Sequence, residues 1–411
     1  MVEEGRHALA LLSAARFDHP AKKLVMIGVT GTKGKTTTTH MIRAILLAAG
    51  KKVGMIGTTG TVIGDVVTPT LNTTPESYEL HQAFAQMVEA GCEYAVMEVS
   101  SQGIKMHRTD GLYFNYAIFT NISPDHIGPG EHADFEEYLY YKTRLLNMCG
   151  IGLVNKDDEH APQIIKAANC ELYTYSEESK EADFVASDIR YVSQPDFVGT
   201  EFHISGKYDM EVRLGIPGLF NVVNALAAVS VCSFLGLDQA RISHALENIR
   251  VNGRMEIVYT SERCTVLVDY AHNAVSMESL LSTLRDYKPK RLVCVFGCGG
   301  NRSKDRRYSM GEIGGKMADL SIITADNSRY EKVEDIIADI RGSIEKTGGK
   351  FIEIPDRREA IRYSILHAQP GDMVAVIGKG HEDYQEINGV RHHFLDREVI
   401  EETVKELGEK A

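Results

Sequence analysis

The stretch that most constrains this chain is Gly28-Val29-Thr30-Gly31-Thr32-Lys33-Gly34-Lys35-Thr36-Thr37. An apolar run, Leu24 to Ile27, precedes it. Met41, Ile42, Ile45 and Leu46 follow at helical spacing until Ala49-Gly50. Strand, glycine loop and amphipathic helix in that order predict a cradle in which backbone amides wrap a polyphosphate at a helix N-terminus. Gly31, Thr32, Lys33 and Gly34 supply the loop, and Lys35 neutralises the outer phosphates. The hydroxyl of Thr36, with Thr37 beside it, reaches toward magnesium. The pattern predicts ATP and Mg2+ as ligands.

The rest of the chain reads as α/β. At 411 residues it has room for two domains or three small ones. From residue 23 to about 250, apolar strands such as 94–97, 117–119 and 151–154 alternate with helices, so the first large domain reads as a mostly parallel, doubly wound sheet of the P-loop ATPase type. Residues 184–216 alternate polar and apolar and read as an antiparallel hairpin flanking that sheet. A helix follows from Asn221 to Leu235. The second half offers strands at 265–268, 292–296, 321–324, 351–354 and 374–377, a second, Rossmann-like α/β domain whose binding chemistry belongs in the loops after the strands. The expected division is a lead-in at 1–22, an ATP-binding domain at 23–251 and an amino-acid-binding domain at 252–411. In the lead-in, Ala8, Leu9, Leu11 and Leu12 read as a modest helical face.

Charge and cysteines narrow the partners. The chain has 45 basic and 57 acidic residues, a net charge of −12, which argues against nucleic acid. Seven cysteines at irregular spacing form no disulfide framework and suit a reducing cytoplasm. No apolar run reaches membrane-spanning length.

Several polar residues stand where chemistry is expected. Glu98 closes the strand 94–97, where a carboxylate beside a phosphate loop can hold magnesium. His126 follows the next strand in Thr-Asn-Ile-Ser-Pro-Asp-His; by itself it reads more readily as a hydrogen-bonded loop residue than as a ligand, although its place at the same sheet edge favours a ligand. Lys142, in a helix with Tyr138, Leu145 and Leu146, reads on its own as a snorkelling surface lysine. Thr73 and Thr74 precede Pro75, which reads as a helix start. In the second half, Gly297 to Arg302, Asp326 to Arg329 and Gly378 to Gln385 place amide, guanidinium and carboxylate groups on three loops, as a pocket for a zwitterionic amino acid needs.

With these motifs in place, the chain resembles the Mur ligases, ATP-dependent amide-forming enzymes of peptidoglycan precursor synthesis. Among them it is most similar to those that add the third residue to UDP-MurNAc-L-Ala-D-Glu. The likeness runs from about residue 6 to 400 through GTKGKTT, LNTTPE, MEVSSQG, FTNISPDH, GLFNVVNALAA, NGRMEIV, VDYAH, FGCGGNR, DNSR, GKGHEDYQ and FLDREV. It implies Glu98 and His126 as metal ligands, and Asn224, Arg254 and Asp269 as further ATP contacts. It implies that Lys142 carries a carbamate that binds magnesium, in place of the surface role read from the residue alone. Thr73, Thr74, Ser100 and Arg108 match positions holding the muramyl-peptide acceptor. Arg302, Asn327, Arg329, Gly378 and Glu382 match the pocket for the incoming amino acid. The implied reaction forms an acyl phosphate and ADP, after which the amine displaces phosphate, with domain closure bringing the two together.

Three departures qualify the likeness. Only 22 residues precede the first strand, where the family carries a uridine-nucleotide domain of roughly a hundred residues. The nucleotide is then held differently, the acceptor is not UDP-linked, or a separate chain supplies the domain. Gln102 stands where many members have histidine, and Ser328 replaces the proline of Asp-Asn-Pro-Arg. The retained Arg329 favours a distal carboxylate, as in meso-diaminopimelate. Two alternatives remain: a relative with another acceptor, such as a polyglutamylating ligase, against which GKGHEDYQ and DNSR argue, and a catalytically silent nucleotide-binding subunit, against which intact Lys35, Glu98, His126 and Lys142 argue.

Overall fold

The computed structural model describes residues 4–125 and 127–408. The chain divides into two compact units. One comprises residues 1–189, 201–214 and 220–249; the other comprises 190–200, 215–219 and 250–411.

The first unit is organised by a long sheet. Glu171–Ser176, Cys149–Asn155, Phe114–Phe119, Val25–Thr30, Tyr94–Glu98 and Val53–Gly57 run side by side and parallel. The central strands are buried almost throughout, as strands covered by helices on both faces must be, while in Glu171–Ser176 only Tyr175 and Ser176 are buried. Gly60–Ile63 and Val66–Thr68 fold back antiparallel at one end. At the other end Phe184–Gln194, Phe197–Gly206 and Met210–Leu214 extend the same sheet. This segment had read as a hairpin flanking the sheet; parallel pairing of Tyr175 and Ser176 with Phe184 and Val185 makes it continuous with the sheet instead. The central strand Val25–Thr30 lies between Tyr94–Glu98 and Phe114–Phe119, with Val29 level with Glu98 and Thr30 with Phe119. That register brings the phosphate loop, Glu98 and Thr120 to one edge, the usual binding edge of an open α/β sheet.

Two local expectations change. The helix Gly5–Arg16 buries Ala10, Ser13 and Ala14, while Leu9, Leu11 and Leu12 are exposed. Small residues at i and i+4 let this helix lie close to Ser77–Glu89, so the bulkier leucines turn outward. Pro75 does not start a helix. The helix begins at Ser77, and Glu76 caps it in a box with Glu79.

The second unit is built on six strands in the order Glu256–Thr260, Cys264–Asp269, Asp372–Ile377, Arg291–Phe296, Leu320–Ile323 and Phe351–Glu353. The first pair is antiparallel and the rest are parallel. The parallel strands therefore release the loops beginning at Tyr270, Gly378, Gly297 and Thr324 at one edge. A separate hairpin, Tyr384–Ile387 with Val390–His393, turns at Asn388-Gly389, both with positive φ, the pairing a tight hairpin favours. Arg357 and Asp396 form a fully buried, two-pronged ion pair at 2.7 Å on each prong. Arg357 also donates to the carbonyls of Ala325 (3.2 Å) and Ile377 (3.0 Å), tying together the bases of two of those loops.

None of the seven cysteines is paired. Among the described residues no helix is long and apolar enough to cross a membrane.

Candidate ligase site

In the first unit the loop between Val25–Thr30 and Lys35–Ala48 closes around two glycines. Gly31 has φ near +143° and lies against Thr120; a Cβ there would stand 1.9 Å from the Thr120 hydroxyl. Gly34 caps the helix in the left-handed region (φ 84°), with the Asn224 amide oxygen 2.4 Å from where its Cβ would be. Only glycine fits either place. The loop is held from the segment after Phe114–Phe119. Asn121 accepts from the Thr32 amide (2.9 Å) on its carbonyl and from the Lys33 amide (2.9 Å) on its side chain. Thr120 donates to the Lys33 carbonyl (2.6 Å). The Thr32 hydroxyl lies 3.1 Å from that of Tyr138, which burial pushes up to about 12. Asn121, Thr120 and Tyr138 escaped the sequence reading, although the first two lie in the same motif as His126. Asn224 also lies 3.4 Å from the Thr38 hydroxyl. It buttresses the first helical turn, where Thr37 is buried.

Glu98 is buried beside this loop and carries a ring of hydroxyl and amide donors. Thr36 donates to its Oε1 (3.0 Å), as does the Thr58 amide (2.9 Å), and the Thr58 hydroxyl reaches Oε2 (3.3 Å). The Thr58 and Thr73 hydroxyls are 3.1 Å apart. Thr74 donates to the Glu98 carbonyl (3.0 Å) and accepts from the Ser100 amide (2.9 Å). Arg108 donates to the Thr74 carbonyl (3.0 Å) and pairs with Glu76 (2.8 Å). Thr73, Thr74, Ser100 and Arg108 therefore form one connected patch adjoining the carboxylate.

Lys142 is buried, which corrects the surface reading of that residue alone. Its Nζ donates to the Gly31 carbonyl (2.8 Å) and lies 4.6 Å from the Tyr138 ring centroid. Burial holds the amine well below the ordinary lysine range, and the charge of Lys35 pushes the same way. Lys35 folds back over the loop, donating to the carbonyls of Gly31 (2.7 Å) and Thr32 (3.1 Å). His126 lies outside the described residues. An oxygen-rich set of Glu98, Thr36 and Thr58 suits a hard cation such as magnesium.

In the second unit a cavity of about 260 Å³ is lined by Tyr270, His272, Gly297, Arg302, Asn327, Arg329, Gly378 and Glu382, among others. All five residues expected to hold the amino acid line it. Glu382 Oε2 accepts from the Asn327 side chain (3.0 Å) and from buried Lys379 (3.2 Å). Its Oε1 has a longer 3.5 Å contact with the Tyr270 hydroxyl. Arg329 donates to the Gly300 carbonyl (2.6 Å), with Nε 3.5 Å from Glu386. Its backbone, at φ 51°, pairs with the hairpin at Ile387. Buried Arg307 grips Glu331 (2.8 Å) and Asp339 (2.9 Å), steadying the approach to Arg302. Asp269 is set in the loop edge by the amides of Met255 and Ala271, both at 2.8 Å. Burial raises its carboxyl, offset in part by those amides and by Arg254. The Arg254 guanidinium lies 4.7 Å from the Tyr270 ring centroid. Sequence reasoning missed Lys379, Tyr270 and the hairpin, although Asn-Gly at 388–389 is a strong turn signal.

A glycine phosphate loop beside a carboxylate, together with an α/β unit bearing a zwitterion-sized polar cavity, defines the ATP-dependent amide-forming ligases as a class. Residues 29–232 match the Mur ligase middle domain, and residues 253–380 match the Mur ligase glutamate ligase domain. The UDP-N-acetylmuramoyl-L-alanyl-D-glutamate--2,6-diaminopimelate ligase of Caldanaerobacter subterraneus subsp. tengcongensis is 40% identical, over 99% of this chain and 83% of that protein. The ligase of the same description from Clostridium botulinum is 40% identical over the same shares. A solved structure of such a ligase has a TM-score of 0.76 and 32% identity, covering 98% of this chain and 84% of the other. Folylpolyglutamate synthase from Thermotoga maritima shares the fold, with a TM-score of 0.70 at 18% identity, covering 92% and 91%. The chain belongs to the Mur ligase family.

Proposed function

We propose that this chain joins meso-diaminopimelate to a free glutamyl carboxylate of UDP-MurNAc-L-Ala-D-Glu, forming ADP and phosphate through an acyl phosphate. Mur ligases use ATP and Mg2+, and the ADP-forming acid–amino-acid ligase class follows from family membership. The observation that carries the finer reading is the second unit's cavity, where Arg329 and Glu382 line one space. A guanidinium pairs with the distal carboxylate of diaminopimelate, and a carboxylate pairs with an ammonium. Lysine in the same place would present a cation to Arg329.

Each side chain has a role in this reading. Gly31, Thr32, Lys33, Gly34, Lys35, Thr36 and Thr37 cradle the triphosphate, with Asn224, Arg254 and Asp269 as further nucleotide contacts. Thr36, Glu98 and His126 would hold magnesium, joined by Lys142 once its amine, in neutral form, had added carbon dioxide and released a proton. Bound magnesium would screen the repulsion between the attacking carboxylate and the triphosphate. Thr73, Thr74, Ser100 and Arg108 hold the acceptor, whose carboxylate attacks the γ-phosphate. Arg302, Asn327, Arg329, Gly378 and Glu382 orient the amino acid, whose amine attacks the acyl carbonyl as phosphate leaves. Residues 23–251 and 252–411 are the nucleotide and amino-acid domains of this scheme.

Phosphate release with purified protein tests it. Turnover dependent on both UDP-MurNAc-L-Ala-D-Glu and meso-diaminopimelate, and far slower with lysine, is expected. Preference for lysine overturns the amino-acid assignment. Turnover only with a folyl-polyglutamate acceptor, or with none, overturns the acceptor.

A further inference from the structure

Away from the phosphate loop, three metal-ligating side chains meet at the N-terminal helix. His7 lies in the first turn of Gly5–Arg16; His107 and Asp110 lie in the turn that follows the short helix Ser101–Lys105. The two imidazole Nδ1 atoms face the same carboxylate oxygen, Asp110 Oδ2, at 2.5 Å from His7 and 2.8 Å from His107. The rings stand nearly perpendicular, with centroids 6.2 Å apart. One ligand atom from each residue falls within 4.8 Å of the other two. His107 has φ near +57°, in the left-handed region, which histidine adopts more readily than most side chains.

We propose that His7, His107 and Asp110 form a binding site for one divalent transition cation, zinc by preference. Two imidazoles and a carboxylate suit zinc and do not suit magnesium, so this site and the phosphate-loop site select different ions. Tetrahedral zinc with bonds of about 2.0–2.1 Å sets its ligand atoms roughly 3.3 Å apart. Admitting the ion therefore moves Asp110 from each ring by under about 1 Å. The side chains can yield, being 49%, 39% and 22% exposed for His7, His107 and Asp110, and that exposure leaves a coordination position open to water. The charges around the site permit a cation. The flanking Arg6 and Arg108 share Glu76, at 3.2 and 2.8 Å, which turns both guanidinium groups toward that carboxylate and offsets one of their two charges.

In the metal-free protein both rings donate Nδ1–H to Asp110. Coordination takes the Nδ1 lone pairs and shifts the remaining proton to Nε2, so two neutral histidines bind without a net change in ring protons. The ion would then cross-link residues about a hundred positions apart in the chain, pinning the N-terminal helix to the turn that carries Arg108.

The test strips the full chain with chelator, saturates it with magnesium and titrates zinc, following heat of binding and melting temperature. Wild type is expected to take up one zinc equivalent more than His7→Gln, His107→Gln or Asp110→Asn, and to melt at a higher temperature with zinc present. Each variant is expected to weaken that equivalent by on the order of tenfold or more. Cobalt in place of zinc should give wild type a visible d–d absorption that His7→Gln lacks; His7 is exposed, so its variant folds. Zinc uptake, melting shift and cobalt spectrum that are the same in wild type and His7→Gln overturn the site. So does wild type that takes up no zinc.

Discussion

Lys35 and Lys142 donate to the same oxygen, the Gly31 carbonyl, at 2.7 and 2.8 Å. Two full positive charges about 4 Å apart at an effective dielectric of about 20 repel by roughly 4 kcal/mol. The conflict resolves if one amine is neutral. Burial and the charge of Lys35 both disfavour protonation of Lys142. A neutral amine is the form that adds carbon dioxide.

Lys142→Ala is therefore expected to abolish turnover, with no rescue by added bicarbonate. Wild type equilibrated with 13C-bicarbonate should show a carbamate resonance that the variant lacks. Near-normal phosphate release from Lys142→Ala would remove the modification from the reaction.

Glu98→Gln keeps the size of the side chain and an acceptor for Thr36 and the Thr58 amide, but removes the charge. Turnover should fall by about two to three orders of magnitude, while the melting temperature stays close to that of wild type. Raising magnesium should recover part of the loss. A variant as active as wild type at low magnesium would show that this carboxylate holds no metal.

Arg329→Ala should raise the KM for the amino acid by on the order of 10- to 100-fold, the worth of a charge-assisted hydrogen bond, and leave the KM for ATP nearly unchanged. Relative rates with diaminopimelate and lysine should converge. An unchanged amino-acid profile would place selection elsewhere in the cavity.

How much of this was legible beforehand differs between the two units. The parallel strands showed because each is an apolar run ending in a polar loop, as at Ile27, Met97 and Ile377. Edge strands such as Val66–Thr68 did not show, since all three of its residues are exposed and no periodicity marks them. The phosphate loop and Glu98 were legible because local spacing sets them. Lys142 was not. Its helix reads as polar on one side, and only the tertiary fold shows that the side carrying Lys142 is closed by Tyr138 and the glycine loop. Arg357 with Asp396, and the Thr120–Asn121 clamp, join residues far apart in sequence and leave no pattern along it.

That buried pair gives a stability prediction. Removing one partner strands the other charge, so Arg357→Met should cost about 3–5 kcal/mol, read from urea unfolding of the purified chain. Replacing both partners, Arg357→Met with Asp396→Leu, should recover most of the stability. The amino-acid KM should stay raised, because the ties to Ala325 and Ile377 at the bases of the substrate loops are gone. A double variant with wild-type KM would limit the pair to stability alone.

Acid should destabilise the first unit through His81. This histidine is buried in the helix Ser77–Glu89, its ring packs at 6.0 Å from that of Phe84, and neither nitrogen has a hydrogen-bond partner. Burial, with a smaller push from His19, lowers it from 6.5 to about 4. Between those values the unfolded chain binds a proton that the folded chain refuses. The contribution to stability is thus full above about pH 6.5, declines as the pH falls, and is gone near pH 4. A shift of that size corresponds to roughly 3–4 kcal/mol over its whole range, of which about 2–3 kcal/mol falls between pH 7 and pH 4.5. His81→Phe removes the titrating group, so the difference in unfolding free energy between pH 7 and pH 4.5 should shrink by about that amount. An identical pH dependence in the two proteins would mean that His81 takes up its proton without opening the fold.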